Sequence, residues 1–290
     1  MKILRADVLG FCMGVRRAVD TVQKTLTEKA GYTIYTYGPL IHNPLVLDRL
    51  KTQGVSVLEE SQISLLNNKC VAVIRAHGVP PKIQQRIADT GCLVVDATCP
   101  RVKVSQKRAY EYSQQEYTVL LTGDSNHGEV VGIAGYAGKE FYLLQNVKDA
   151  YDFVDTHTPL PEKVILLSQT TFSMTEFKKI EDYLTKKMPQ LKVFQTICAA
   201  TKERQESLER LCKKVDGIIV IGGKNSANTQ RLYHIASSLC QFVAHIETPE
   251  EIPEQFYGLS TVGITAGAST PDELIEAVEK RLYSKNKENT

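Results

Sequence analysis

The chain has 290 residues, with 35 Lys and Arg against 33 Asp and Glu for a formal charge of +2, a balance that offers nucleic acid no electrostatic footprint. Hydrophobic residues make up 42%, enough to build a core and too many for a disordered tract. No apolar run reaches the roughly 18 residues of a membrane span, an arginine and an acid come too early for a signal peptide, and seven scattered cysteines are too few for a disulfide scaffold, so a cytoplasmic protein with reduced thiols is expected.

In chain order, the apolar periodicity predicts a helix over 16–28, strands over 34–37 and 71–74, a helix over 81–89, a strand over 93–95 and a helix over 103–113. Strands follow over 118–121 and 164–167, then helices over 174–187 and 202–214. A strand over 217–221, a helix over 229–238, a strand over 261–264 and a helix over 271–283 complete the series, and the Lys-, Asn- and Glu-rich tail 284–290 is expected to fray. Such alternation means α/β architecture with parallel sheets.

An internal repeat sharpens this reading. Three segments run strand, cysteine, helix: Ile3-Leu4 leading to Cys12, Leu93–Val95 to Cys99, and Val193-Phe194 to Cys198. A first polar loop follows each cysteine and holds His42, His127 or Ser226, at offsets of 30, 28 and 28 residues. A second holds His77, Thr170 or Ser269, at offsets of 65, 71 and 71 residues. Three similar α/β domains are expected, at 1–97, 98–197 and 198–283. Ligands of parallel sheets bind beyond the carboxyl ends of strands. Three such domains around a pseudo-threefold axis would direct all nine positions into one central cavity.

Each cysteine stands at a predicted helix start, where free N–H groups and the dipole favour thiolate. Three thiolates meeting on an axis suit zinc or an iron–sulfur cluster. The absence of C-x-x-C pairs disfavours structural zinc, and three ligands suit a cubane whose fourth iron stays open. Cys70, Cys92, Cys212 and Cys240 have no counterparts across the repeats and read as packing residues; His157, His234 and His245 fall outside the pattern and read as structural or surface residues. The histidines and hydroxyls of the loops, with Asn228, fit a diphosphate. Glu129, two residues after His127, is the candidate proton donor. No P-loop or dinucleotide fingerprint is present.

Nine motifs in order carry a resemblance. They are Gly10-Phe11-Cys12-Met13-Gly14, Ile41-His42-Asn43, Ala76-His77-Gly78, Asp96-Ala97-Thr98-Cys99-Pro100, His127-Gly128-Glu129, Gln169-Thr170-Thr171, Ile197-Cys198-Ala199, Lys224-Asn225-Ser226-Ala227-Asn228 and Ala266-Gly267-Ala268-Ser269. Together they resemble the 4-hydroxy-3-methylbut-2-enyl diphosphate reductases of the non-mevalonate isoprenoid pathway. The resemblance implies a monomer with a [4Fe–4S] cluster on Cys12, Cys99 and Cys198, reduced by ferredoxin or flavodoxin. It implies an allylic diphosphate held by His42, His77, His127, Ser226, Asn228 and Ser269, with Thr170 near the substrate hydroxyl and Glu129 delivering protons. The products would be isopentenyl and dimethylallyl diphosphate. Two positions depart from the pattern: Ala227 replaces a serine, and Gly128 follows His127 where proline is the family's residue. A condensing enzyme of the quinolinate synthase type shares the three-cysteine architecture, and a non-catalytic iron–sulfur sensor is the alternative from another class.

Overall fold

The computed structural model describes residues 1–288. Among the described residues, twelve strands form three parallel four-stranded sheets. The first sheet is ordered β3 (Val55–Leu58), β2 (Thr33–Tyr37), β4 (Cys70–Ile74), β5 (Leu93–Asp96). The second is ordered β7 (Phe141–Leu144), β6 (Thr118–Thr122), β8 (Val164–Ser168), β9 (Lys192–Val193). The third is ordered β11 (Phe242–Ile246), β10 (Gly217–Ile221), β12 (Thr261–Ala266), β1 (Lys2–Arg5). All three have one topology, and the α/β fold expected from the alternation is present.

Ten α-helices accompany them: α1 (Met13–Glu28), α2 (Pro44–Thr52), α3 (Pro81–Ala88), α4 (Pro100–Ser113), α5 (Gly128–Ala134), α6 (Val147–Thr156), α7 (Met174–Lys187), α8 (Ala199–Cys212), α9 (Ala227–Leu239) and α10 (Asp272–Glu288). The chain divides into two compact units. One comprises Met1–Arg16, Ile41–Gln53 and the chain from Ala199 on, and holds the third sheet. The other comprises Arg17–Leu40 and Gly54–Cys198 and holds the first two sheets. No helix among the described residues is long and apolar enough to cross a membrane.

The inner strands β4, β6, β8 and β10 are buried at every residue, as strands covered by helices on both faces must be. Strands β3, β7 and β11 at the sheet edges are only partly buried and are not among the predicted strands, although Phe141–Leu144 is apolar throughout. Four helices begin two or three residues before their predicted starts: α1 directly after Cys12, α4 after Cys99, α8 after Cys198 and α9 after Ser226.

Two expectations need correction. Strand β1 pairs with β12 in the third sheet, so residues 1–97 do not share one sheet. Each cysteine follows the strand that closes the sheet of the preceding loops: Cys99 that of β2 and β4, Cys198 that of β6 and β8, Cys12 that of β10 and β12. The repeat is real, and its frame is shifted by one strand. In the tail 284–290, residues up to Glu288 continue α10, and 289–290 lie outside the described residues.

In the core of the second sheet, Phe177 packs with no exposure beside Leu120, Leu166 and Leu184. Phe177→Ala should lower folding stability by about 3–5 kcal/mol through lost transfer energy and the cavity left behind, read as an earlier urea midpoint. A midpoint within error of wild type would show that this core collapses around the gap.

Candidate active site

In the unit that holds the third sheet, Cys12, His42, Ser226, Asn228 and Ser269 all stand beyond the carboxyl ends of strands. Gly10, with φ of +75°, turns the chain after β1 in a conformation that suits glycine. Its carbonyl accepts a hydrogen bond from Arg204 Nη2 at 2.7 Å. The Cys12 N–H donates to Ala268 O at 3.1 Å, and Val15 N–H donates to Cys12 Sγ at 3.5 Å, so the first turn of α1 directs a donor at the sulfur.

Ser269 Oγ donates to the His42 carbonyl at 3.0 Å. Gly223 lets the loop after β10 approach that carbonyl, since a Cβ there would stand 2.4 Å from it. Ser226 caps α9, accepting from Thr229 N–H at 3.4 Å. Asn228, in the first turn, is 4% exposed and its Nδ2 has no hydrogen-bond partner. A buried amide donor without an acceptor is costly unless a ligand supplies one. His245 supports the same loop through a 2.9 Å hydrogen bond between its Nε2 and Gly222 O, and burial lowers its pKa.

In the other unit, the His77 and His127 rings meet edge to face with centroids 4.9 Å apart. His127 caps α5, its Nδ1 accepting from Glu129 N–H at 3.2 Å. That bond needs a bare Nδ1, so the proton of the neutral ring sits on Nε2, which is left as a donor. Glu129 is 1% exposed. Its carboxylate accepts from Thr170 N–H at 2.6 Å and from Thr170 Oγ1 at 2.7 Å. Burial pushes its pKa up to about 7, against the lowering effect of the two Thr170 bonds. Neighbouring negative charge, from Asp124, adds only a lesser push.

Thr170 also joins the acid to a cysteine, because its carbonyl accepts from Cys198 N–H at 2.9 Å. Cys99 N–H is held likewise by Ala76 O at 2.9 Å, one residue before His77. Pro100 opens α4 with Cys99 as its cap residue. The loop before it is pinned by Asp96 Oδ1, which accepts from Thr98 N–H at 2.9 Å, and by Arg17 Nη1, which donates to Thr98 O at 2.9 Å.

None of the seven cysteines is in a disulfide. Cys12, Cys99 and Cys198 are half-buried, whereas Cys70, Cys92 and Cys212 are buried. Burial raises the Cys92 thiol to about 11 and Cys212 to about 12, which keeps both protonated and poor as ligands. Cys240 packs on the Cys212 side, its Sγ donating to Cys212 O at 3.7 Å. Sequence reasoning assigned no role to Gln169, whose side chain spans Asp124 N–H at 2.8 Å and Thr171 Oγ1 at 2.9 Å. Nor did it notice Arg17 and Arg204. The available signal for Arg204 was an arginine in phase with the buried positions Thr201, Ser207, Leu208 and Leu211 of α8.

Residues 3–283 match the family described as LytB protein. A 4-hydroxy-3-methylbut-2-enyl diphosphate reductase of Treponema denticola is 45% identical, with 97% of this chain and 99% of that protein covered. One from Aquifex aeolicus is 41% identical, with 97% and 95% covered. Among solved structures, an (E)-4-hydroxy-3-methyl-but-2-enyl diphosphate reductase, described as the terminal enzyme of the non-mevalonate pathway, is 38% identical over 98% of this chain and 100% of that one, with a TM-score of 0.72. The E-1-hydroxy-2-methyl-but-2-enyl-4-diphosphate reductase of Plasmodium falciparum is 26% identical over 96% of this chain and 87% of that one, with a TM-score of 0.88.

Proposed function

The chain belongs to the LytB family, and on that premise we propose how its residues carry out the work of a 4-hydroxy-3-methylbut-2-enyl diphosphate reductase. Two electrons and two protons enter and the allylic C–O bond breaks. One proton leaves with the hydroxyl as water, and the other forms a C–H bond on the allylic fragment, giving isopentenyl or dimethylallyl diphosphate. The relatives are reductases of this kind, which leaves the condensing-enzyme and sensor readings without support.

Cys12, Cys99 and Cys198 would hold a [4Fe–4S] cluster. Their fit rests on the donor set: three half-buried sulfurs, each opening a helix and each with its peptide N–H tied to the loop of the neighbouring strand. When bound, the cluster supplies the electrons and a Lewis-acidic iron for the departing hydroxyl. Ser226, Asn228 and Ser269, with His42, His77 and His127, hold the diphosphate. The Asn228 amide is a donor in want of an acceptor, and with Nδ1 of His127 accepting from Glu129 N–H the proton of its neutral ring sits on Nε2. Fixing the diphosphate leaves the allylic end one orientation.

The observation that carries the mechanism is the Glu129–Thr170–Cys198 chain. A carboxyl group poised near pH 7 is joined through one threonine to a cluster ligand. Glu129 holds the proton, and the Thr170 hydroxyl is the path from its Oε2 toward the substrate oxygen. Reduced ferredoxin or flavodoxin is the proposed donor, and the proposed state is a cytoplasmic monomer. Anaerobic purification tests the assignment: a brown protein, bleached by dithionite, should convert the allylic substrate with a reduced ferredoxin. A colourless protein containing zinc would overturn it.

Asn228→Ala should weaken inorganic pyrophosphate binding roughly ten- to a hundredfold, the loss of one charge-assisted hydrogen bond. Cluster absorbance should stay intact. Calorimetry under argon reads the change, and unchanged affinity would remove Asn228 from the clamp.

A further inference from the structure

Arg75 follows β4 and precedes His77 by two residues. Its guanidinium is wedged between two glycines. A Cβ on Gly38 would stand 2.8 Å from Nη1, and one on Gly128 would stand 2.4 Å from Nη2 and 2.7 Å from Cζ. Gly38 has φ of +66° and needs glycine for its backbone as well. Gly128 is not among the residues with positive φ, so glycine serves there to leave space. The Nε of Arg75 is buried without a hydrogen-bond partner, and burial lowers the pKa of the group while Tyr37 and Glu59 favour its charge. Any side chain at 128 would start in the space the guanidinium fills. Gly128 is also the first residue of α5, between the cap His127 and Glu129.

We propose that Arg75 is a positioning residue: lodged in the space left by Gly128, its guanidinium holds the start of α5, and with it His127 and Glu129, and adds a fixed positive charge beside the His77–His127 pair. The part of this concerning diphosphate rests on the function proposed above. Gly128 is then the small residue matched to a large buried cation. Lysine, a point charge without the planar fork, would keep the charge and lose the wedge.

Four proteins test this: wild type, Arg75→Ser, Gly128→Ala and the double variant, each loaded with its cluster. Gly128→Ala alone should lower Tm by about 4 °C and weaken inorganic pyrophosphate binding about tenfold. In the Arg75→Ser background the same alanine should change neither. Arg75→Ser alone should raise KM about tenfold with kcat within about threefold of wild type, and Arg75→Lys, which keeps the charge and loses the wedge, should recover only part of the pyrophosphate affinity. Equal effects of Gly128→Ala in both backgrounds, or unchanged pyrophosphate affinity in Arg75→Ser, would overturn the proposal. Failure of the diphosphate reading looks different: wild type itself would not bind pyrophosphate, and the paired Tm values would still decide whether Arg75 and Gly128 act together.

Discussion

Serine at position 12, 99 or 198 should leave a folded chain that holds markedly less iron than wild type and turns substrate over at background rates. Each of these cysteines is half-buried, opens a helix and donates its backbone N–H to a carbonyl of an adjacent loop, so removing the sulfur disturbs ligation more than packing. A hydroxyl is a harder and far less acidic ligand than a thiol, and soft iron–sulfur chemistry selects thiolate. The same replacement at Cys70, Cys92, Cys212 or Cys240 should leave iron content unchanged, because these side chains pack inside the hydrophobic clusters of their sheets. Iron per chain, measured on protein purified under argon, decides the matter. A requirement for any of these four, together with dispensability of Cys12, Cys99 or Cys198, would sink the ligand assignment.

Glu129→Gln should retain cluster and pyrophosphate binding while losing turnover by a factor on the order of a hundred or more, as expected for a lost general acid. The amide keeps the size of the side chain, its oxygen accepts from Thr170 N–H and its NH2 donates to the Thr170 hydroxyl oxygen in place of the carboxylate bonds; what disappears is the titrating proton. In the wild type, burial places that proton's pKa at about 7, so kcat should decline as pH rises past 7. The glutamine variant should show residual turnover without that limb. Stability follows the same group. The folded carboxyl titrates near 7 against an ordinary value of 4.5, so between those values the folded state binds a proton that the unfolded chain has released. Stability therefore falls as pH rises from 4.5 to 7, by about 3 kcal/mol over the whole interval, and levels off above it. The variant should lack this slope. Near-normal turnover of Glu129→Gln with a full cluster would transfer the proton to water or to the substrate's own diphosphate.

The candidate site was legible in the sequence to the extent that strand ends announce themselves. Strands β4, β6, β8 and β10 are apolar along their whole length because both faces are covered, so the residues following them could be identified as the loops where parallel sheets bind ligands. His77, His127, Thr170 and Ser226 all came from that reasoning. The supporting residues did not. Arg204 and Arg17 act through carbonyls distant in sequence, and a hydrogen bond between residues 194 or 81 positions apart leaves no local periodicity to read.

By itself the sequence determined the local structure: which segments are buried strands, where amphipathic helices run, and that cysteine, first loop and second loop recur three times. These follow from side-chain chemistry within a few residues. Tertiary structure alone decided the pairing, because strand partners are chosen by long-range contact. Strand β1 closes the third sheet by pairing with β12 some 260 residues away, which moves the frame of the repeat by one strand. It also decided the environment of Glu129. As a string of letters, His-Gly-Glu reads as an acid at an exposed helix start. In the folded chain Thr170 and the surrounding core take that carboxyl out of water, and its proton affinity is set by this desolvation, which exists only once the loops have come together.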